Sequence, residues 1–214
     1  MTQNNNILIS IEGNIGSGKT TFLKHLKKMK SMNNIVFVPE PIHNWIEVKD
    51  SGGEDILTKF YQDPKKYAFS FQMLAFFTRH QLISKALEEN TNSIIITERS
   101  MGTDRNIFAQ MLKDDGKIDE VEFQIYMKWF GSLCEDIKAD KYIYLYTLPD
   151  ISFQRILKRN RLGESKIQES YIRNCHAYHN IWLLDKENVK IIDVSADNYK
   201  PIEEELKRYI TNLS

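Results

Sequence analysis

Cysteine is scarce in this chain, with two in 214 residues. Cys134 and Cys175 lie far apart and form no C-x-x-C pair, which argues against a disulfide scaffold and a cysteine-based zinc site. Net charge is also lacking. Lysine plus arginine and aspartate plus glutamate both number 29, giving a formal net charge of +0. No bulk positive field therefore recommends duplex nucleic acid as a partner, and any anion has to be held locally by a loop and a few placed cations. No apolar run approaches the roughly 18 residues needed to span a bilayer. Met1 to Asn6 is polar and uncharged, without the apolar stretch of a signal peptide or the arginines of a transit peptide. The expectation is a soluble intracellular chain, most simply cytoplasmic, that binds neither membrane nor nucleic acid. Repeats, low-complexity tracts and Pro/Ser-rich linkers are missing too, so a single domain over 1–214 is expected.

What the chain does contain is a series of short, continuous apolar runs at 7–11, 35–38, 94–97, 142–147 and 189–194, separated by long helical stretches. Runs of β-branched and aromatic residues without alternation are what strands buried on both faces look like. The alternation with helices predicts an α/β fold, a doubly wound five-stranded parallel sheet with helices on both faces and ligands at the carboxyl ends of its strands.

Directly after the first run comes Gly13-Asn14-Ile15-Gly16-Ser17-Gly18-Lys19-Thr20, followed by Thr21 and a helix-favouring segment. This is the G-x-x-x-x-G-K-T pattern of a phosphate-binding loop in its strand-to-helix setting. Successive backbone N–H groups can converge on one anion only where glycines relieve the sterics, and the following helix adds its own unpaired N–H groups. Lys19 is expected to reach the β- and γ-phosphates of a nucleoside triphosphate, ATP or another donor, with the Thr20 hydroxyl on Mg²⁺. A dinucleotide fingerprint fits less well, because Thr21 stands where the third glycine belongs.

Three further constellations fall at strand or helix ends. Glu40-Pro41 closes the second run, Pro41 biasing Glu40 toward extended geometry, so that the carboxylate is aimed and could take a proton from an attacking hydroxyl. Glu98-Arg99-Ser100 closes the third, with a carboxylate able to hold Mg²⁺ and a guanidinium able to steady phosphoryl oxygens or a catalytic carboxylate. Arg155 and Arg159 share a helix face, and Arg161 begins the loop beyond, so a lid over about 155–167 could close on a triphosphate. Cys175, His176 and His179 have helical spacing without a fourth ligand and are expected to be packing or surface residues. Helices over about 66–89 and 120–138 are apolar on most of their circumference, which predicts a homodimer interface as well as contact with the sheet.

Taken together, these residues resemble the deoxyribonucleoside kinases, the family of the deoxycytidine and deoxyguanosine kinases. The resemblance rests on the loop 13–20, Glu40-Pro41 with Trp45, Tyr61, Phe71-Gln72 with Arg79, Glu98-Arg99-Ser100 with Asp104 and Phe108, and the arginine lid with Glu164. It implies that Glu40 is the general base on a nucleoside 5′-hydroxyl, assisted by Arg99. Gln72 would pair with the base between Trp45, Phe71 and Phe108, while Tyr61 and Glu164 would hold the sugar 3′-hydroxyl. ATP would extend to Asp197 and Tyr199. Ala75, Arg79 and Asp104 are similar to the pocket type of deoxycytidine and deoxyguanosine kinases, which implies deoxycytidine or a purine deoxynucleoside over thymidine. Met101-Gly102-Thr103 and Phe60 depart from the family pattern. A nucleoside-monophosphate kinase is the main alternative, disfavoured because Glu40 would repel an acceptor phosphate. A nucleotide-dependent switch is weaker still, since no N-K-x-D sequence occurs.

Overall fold

In the computed structural model, which describes residues 5–28, 34–161, 163–196 and Tyr209, β1 (Ile7–Glu12) is the central strand of a five-stranded sheet. The others are β2 (Ile35–Val38), β3 (Ile94–Glu98), β4 (Lys141–Tyr146) and β5 (Val189–Asp193), in the order β2-β3-β1-β4-β5. Every pairing is parallel, with Ile9 opposite Ile96 on one side and Lys141 on the other. Each predicted strand is present, with ends shifted by a residue at most. The chain leaves β1 for one side of the sheet and later returns to its other side, so the connections diverge at the carboxyl end of β1 and leave a crevice there.

Side-chain alternation along β1 assigns the two faces. Ile9 and Ile11 pack with Ile94, Ile96, Ile143 and Leu145 against Phe22, Leu23 and Leu26 of α1 (Lys19–Lys28). Leu8 and its neighbours Ile95 and Tyr144 pack on the opposite side against the long α4 (Pro64–Glu89), through Phe76 and Ile83, and against Leu183 of α9 (Glu169–Leu183). Both faces are thus dry, and each fully buried Ile, Leu or Phe contributes about 1.5–3 kcal/mol. Between β2 and α4 lie α2 (Ile42–Glu47) and α3 (Ile56–Gln62). After β3 come a short α5 (Met101–Thr103), a π-helical segment (Asp104–Ala109) and α6 (Gln110–Asp114), then α7 (Glu120–Leu133); α8 (Pro149–Arg159) follows β4.

The second apolar helix is shorter than expected: α7 stops at Leu133, not 138. Cys134 is its C-cap, and Glu135 and Asp136 follow, carboxylates that the negative end of a helix dipole disfavours. Only Tyr126 of α7 is buried, while Val121, Ile125 and Trp129 are exposed, as is Phe77 of α4. Phe77 and Trp129 meet edge to face with centroids 5.7 Å apart. Among the described residues no helix is long and apolar enough to cross a membrane. Cys175 and His179 are fully buried, His179 stacking on Tyr144 with its Nδ1 2.6 Å from the Cys175 carbonyl. Burial holds that imidazole down at about 3 and lifts the Cys175 thiol to about 12, as expected of packing groups.

Candidate active site

The loop after β1 turns because its glycines permit it. At Gly16 φ is +81°, and a Cβ there would stand 2.3 Å from the Ser152 carbonyl oxygen of α8, so the loop and the helix that carries the arginines are in direct backbone contact. Gly13, with φ +147°, lies against Ser17 and the Leu145 carbonyl in the same way. Lys19 donates to the Gly13 and Asn14 carbonyls at 2.9 and 2.8 Å, and Asn14 ties the loop to the Ile172 carbonyl of α9 at 2.9 Å. Burial, then Arg99, push the Lys19 ammonium down to about 7, with Glu40 and Glu98 opposing. The loop is a cradle that a phosphate's negative charge would complete.

A cleft of about 230 Å³ opens from this loop, and most of the predicted residues meet on it. Lys19, Thr20 and Thr21 line one end, with Ile15, Gly16 and Gly18. The other end holds Trp45, Phe71, Gln72, Ala75, Arg79, Asp104 and Phe108, and Tyr61, Glu164, Arg159 and Arg161 form a side wall. Gly13, Asn14 and Ser17 belong to the loop but are not among the residues that line the cleft, Asn14 and Ser17 being buried beneath it. Arg155 stands apart from the other two lid arginines, its guanidinium donating to the Val194 and Ser195 carbonyls at 2.8 and 3.3 Å, beyond β5. Asp197 and Tyr199 lie outside the described residues.

Glu40 sits midway. Its Oε1 accepts from Arg99 at 2.5 Å and from Arg79 at 3.2 Å, all three side chains being nearly inaccessible. Burial pushes the carboxyl upward, but Arg99, Arg79 and Lys19 outweigh it and hold Glu40 at about 2. Arg99 reaches it from a left-handed backbone, φ +67° at the end of β3, a conformation costing a non-glycine residue about 1–3 kcal/mol. Arg99 also covers the Phe108 ring at 5.2 Å. Arg79 donates through Nε to Asp104 at 2.8 Å and through Nη1 to the Glu98 carbonyl at 2.9 Å. Burial opposes its charge, yet Asp104 and Glu40 hold its pKa above the ordinary value.

Polar groups elsewhere in the cleft indicate what it accepts. Gln72 is 2% exposed and its Oε1 is buried without a hydrogen-bond partner among the described residues, a costly state that a ligand N–H relieves. Trp45 stands edge-on to Phe71 at 5.3 Å and is fixed by its Nε1–H on Thr78 Oγ1 at 2.9 Å. These rings and the amide suit a flat heterocycle. Thr20 Oγ1 donates to Glu98 Oε1 at 2.7 Å beside the loop, a pair of hard oxygen donors of the kind Mg²⁺ takes.

Several contributors carry no sequence signal. Tyr171 of α9 lines the cleft and meets Tyr61 edge to face at 6.1 Å, and Leu57 and Ile42 complete the apolar wall. Glu12, fully buried, accepts from Ser10, Ser100 and Thr103 hydroxyls at 2.6–2.8 Å and so fixes the Glu98-Arg99-Ser100 turn to the end of β1.

A parallel sheet whose central strand ends in a G-x-x-x-x-G-K-T loop, with an aimed carboxylate across the cleft from it, defines a nucleotide-dependent phosphotransferase of the P-loop class. The family profile described as deoxynucleoside kinase matches residues 9–213, and the chain belongs to that family. The chain is 38% identical over 195 residues to a fowlpox virus protein named "Probable deoxycytidine kinase FPV151", covering 88% of this chain and 78% of that one. It is 33% identical to deoxycytidine kinase 2 of Gallus gallus (88% and 82% covered) and 29% identical to the mitochondrial deoxyguanosine kinase of Xenopus laevis (91% and 78%). The expected fold, family and enzyme class are borne out.

Proposed function

We propose that the chain, acting as one domain over residues 1–214, transfers the γ-phosphoryl group of Mg²⁺·ATP to the 5′-hydroxyl of a deoxynucleoside in cytoplasmic nucleotide salvage. One observation carries the reading: Glu40 lies between an anion-binding loop and a heterocycle-sized pocket within a single cleft. A carboxylate suits a neutral hydroxyl acceptor and repels an acceptor phosphate. With Oε1 held by both arginines, Oε2 is the oxygen that would take the 5′-hydroxyl proton, and Arg99 would steady the attacking group. Gly13 to Thr21 and Lys19 would hold the phosphates, with Arg159 and Arg161 over the γ-phosphoryl and Arg155, Asp197 and Tyr199 on the nucleotide side. Thr20 and Glu98 would hold Mg²⁺, which would supply charge neutralisation to the transferring phosphoryl group. Catalysis would then be mostly alignment and preorganised charge.

At the acceptor end Gln72 would pair with the base between Trp45, Phe71 and Phe108 above Ala75. The Arg79–Asp104 pair offers a donor and an acceptor to an exocyclic group and crowds a thymine methyl. Steady-state rates with the four deoxynucleosides test the assignment. We expect deoxycytidine or a purine deoxynucleoside to exceed thymidine in kcat/KM by about tenfold or more. Comparable turnover of thymidine sinks the preference, and no turnover of any of the four sinks the kinase reading.

The exposed apolar face of Phe77, Val121, Ile125 and Trp129 supports a homodimer through α4 and α7. Light scattering should give about twice 25.2 kDa, and a mass near 25.2 kDa at micromolar concentration rules the dimer out.

A further inference from the structure

The lid arginines are already occupied. Arg159 grips Glu164 as a two-pronged fork, Nε to Oε2 at 2.7 Å and Nη2 to Oε1 at 2.5 Å, and Arg161 Nη1 lies 3.4 Å from the same Oε1. Glu164 is 5% exposed, whereas both arginine side chains are 34% exposed and line the cleft that Lys19 also lines. The short 3₁₀ turn bearing Glu164 (Glu164–Lys166) is seated by Gly163, whose φ is +84° and whose missing Cβ would stand 2.8 Å from Thr58 Oγ1 at the start of α3. Glu164 also faces Tyr61, whose phenol it helps keep protonated after burial. One carboxylate therefore borders the acceptor wall on one side and holds the phosphate-seeking guanidiniums on the other.

Resting on the kinase reading above, we infer that Glu164 couples acceptor to donor binding: it restrains Arg159 and Arg161 until an acceptor sugar hydroxyl engages it. A carboxylate and a phosphate compete for the same planar fork, and a guanidinium cannot serve both bidentately at full strength. A hydroxyl donating to Glu164 spends part of its acceptor capacity, loosens the fork and releases the arginines to the triphosphate. Donor and acceptor then favour each other's binding by the same factor, as linkage requires. In the absence of acceptor the restraint keeps the arginines off the γ-phosphoryl and limits transfer to water.

Calorimetric titration with a non-hydrolysable ATP analogue and Mg²⁺ tests this without altering the protein. Saturating 2′-deoxycytidine should tighten the analogue on the order of tenfold, while 2′,3′-dideoxycytidine, which occupies the base pocket but lacks the 3′-hydroxyl, should leave it within about twofold. E164Q should bind the analogue more tightly than the wild type without nucleoside and show no further response. Equal tightening by both nucleosides, or an E164Q enzyme as responsive as the wild type, overturns the coupling alone. Failure of 2′-deoxycytidine and of both purine deoxynucleosides to bind at all overturns the acceptor assignment and the coupling with it.

Discussion

Replacing Glu40 by Gln should lower kcat by about 10²–10⁴-fold while leaving the affinity for an ATP analogue nearly unchanged. The amide keeps the side chain's shape and one oxygen for Arg99 and Arg79, but under the proposed mechanism it could not accept the proton leaving an attacking hydroxyl. Two buried guanidiniums then face a neutral partner. Removal of one member of a buried ion pair costs about 3–5 kcal/mol, and because Gln retains an acceptor the loss here should be smaller, seen as a few degrees in the melting temperature. The pH dependence follows from the same clamp. Glu40 is depressed to about 2 from its ordinary carboxylate value, so its contribution to stability is fully present above that ordinary value and is lost as pH falls toward 2. Its ionisation in the free protein should therefore leave no acidic limb in kcat/KM above pH 5. An E40Q enzyme with wild-type turnover and intact folding would remove the carboxylate from the chemistry.

The second large effect is expected at Gly16. An alanine there meets two penalties, a left-handed φ of +81° and a Cβ 2.3 Å from the Ser152 backbone oxygen, with Ile156 Cγ1 3.0 Å away. Neither a backbone carbonyl nor the helix behind it can yield cheaply, so the loop has to move off α8 and its N–H groups lose their common focus. We expect nucleotide affinity to fall on the order of a hundredfold and stability by at least about 1–3 kcal/mol. Gly53 supplies the control. Its φ of +83° is nearly the same, but a Cβ added there would meet nothing within 4 Å, so G53A should carry the backbone strain alone and keep full nucleotide affinity. Equal behaviour of the two variants would show that the loop's contact with α8 is not what shapes the cradle.

The parts of this molecule that could be read from residue order are those set by short-range rules. Strands buried on both faces have continuous apolar runs, and the phosphate loop needs its glycines, lysine and threonine at fixed spacing, so both were legible to within a residue. Glu40, Arg99 and the three arginines were legible because strand and helix ends locate them. The bond from Arg79 to Glu40 was not: it spans 39 positions, and although the family resemblance set Asp104 beside Arg79, the π-helical segment that delivers Asp104 is announced by no local pattern. Nor was the separation of Arg155 from Arg159. One turn of helix puts them on one face, yet Arg155 meets the carbonyls beyond β5 while Arg159 reaches Glu164, a division made by what surrounds each turn. Tyr171 points inward only because α9 packs beside α3, which is a property of the assembled layers.

The placement of the indole rings has a practical consequence. The chain has three tryptophans, and the fold assigns each to a different zone. Trp45 is 6% exposed in the acceptor wall with the Arg79 guanidinium 5.9 Å from its ring, Trp182 packs against Tyr142 and fills the space over Gly102, and Trp129 is 46% exposed on the outer apolar face. Their emission should therefore separate by colour, red for the wetted Trp129 and bluer for the more enclosed Trp45 and Trp182, giving the outer apolar face and the interior two intrinsic optical channels in one unlabelled chain.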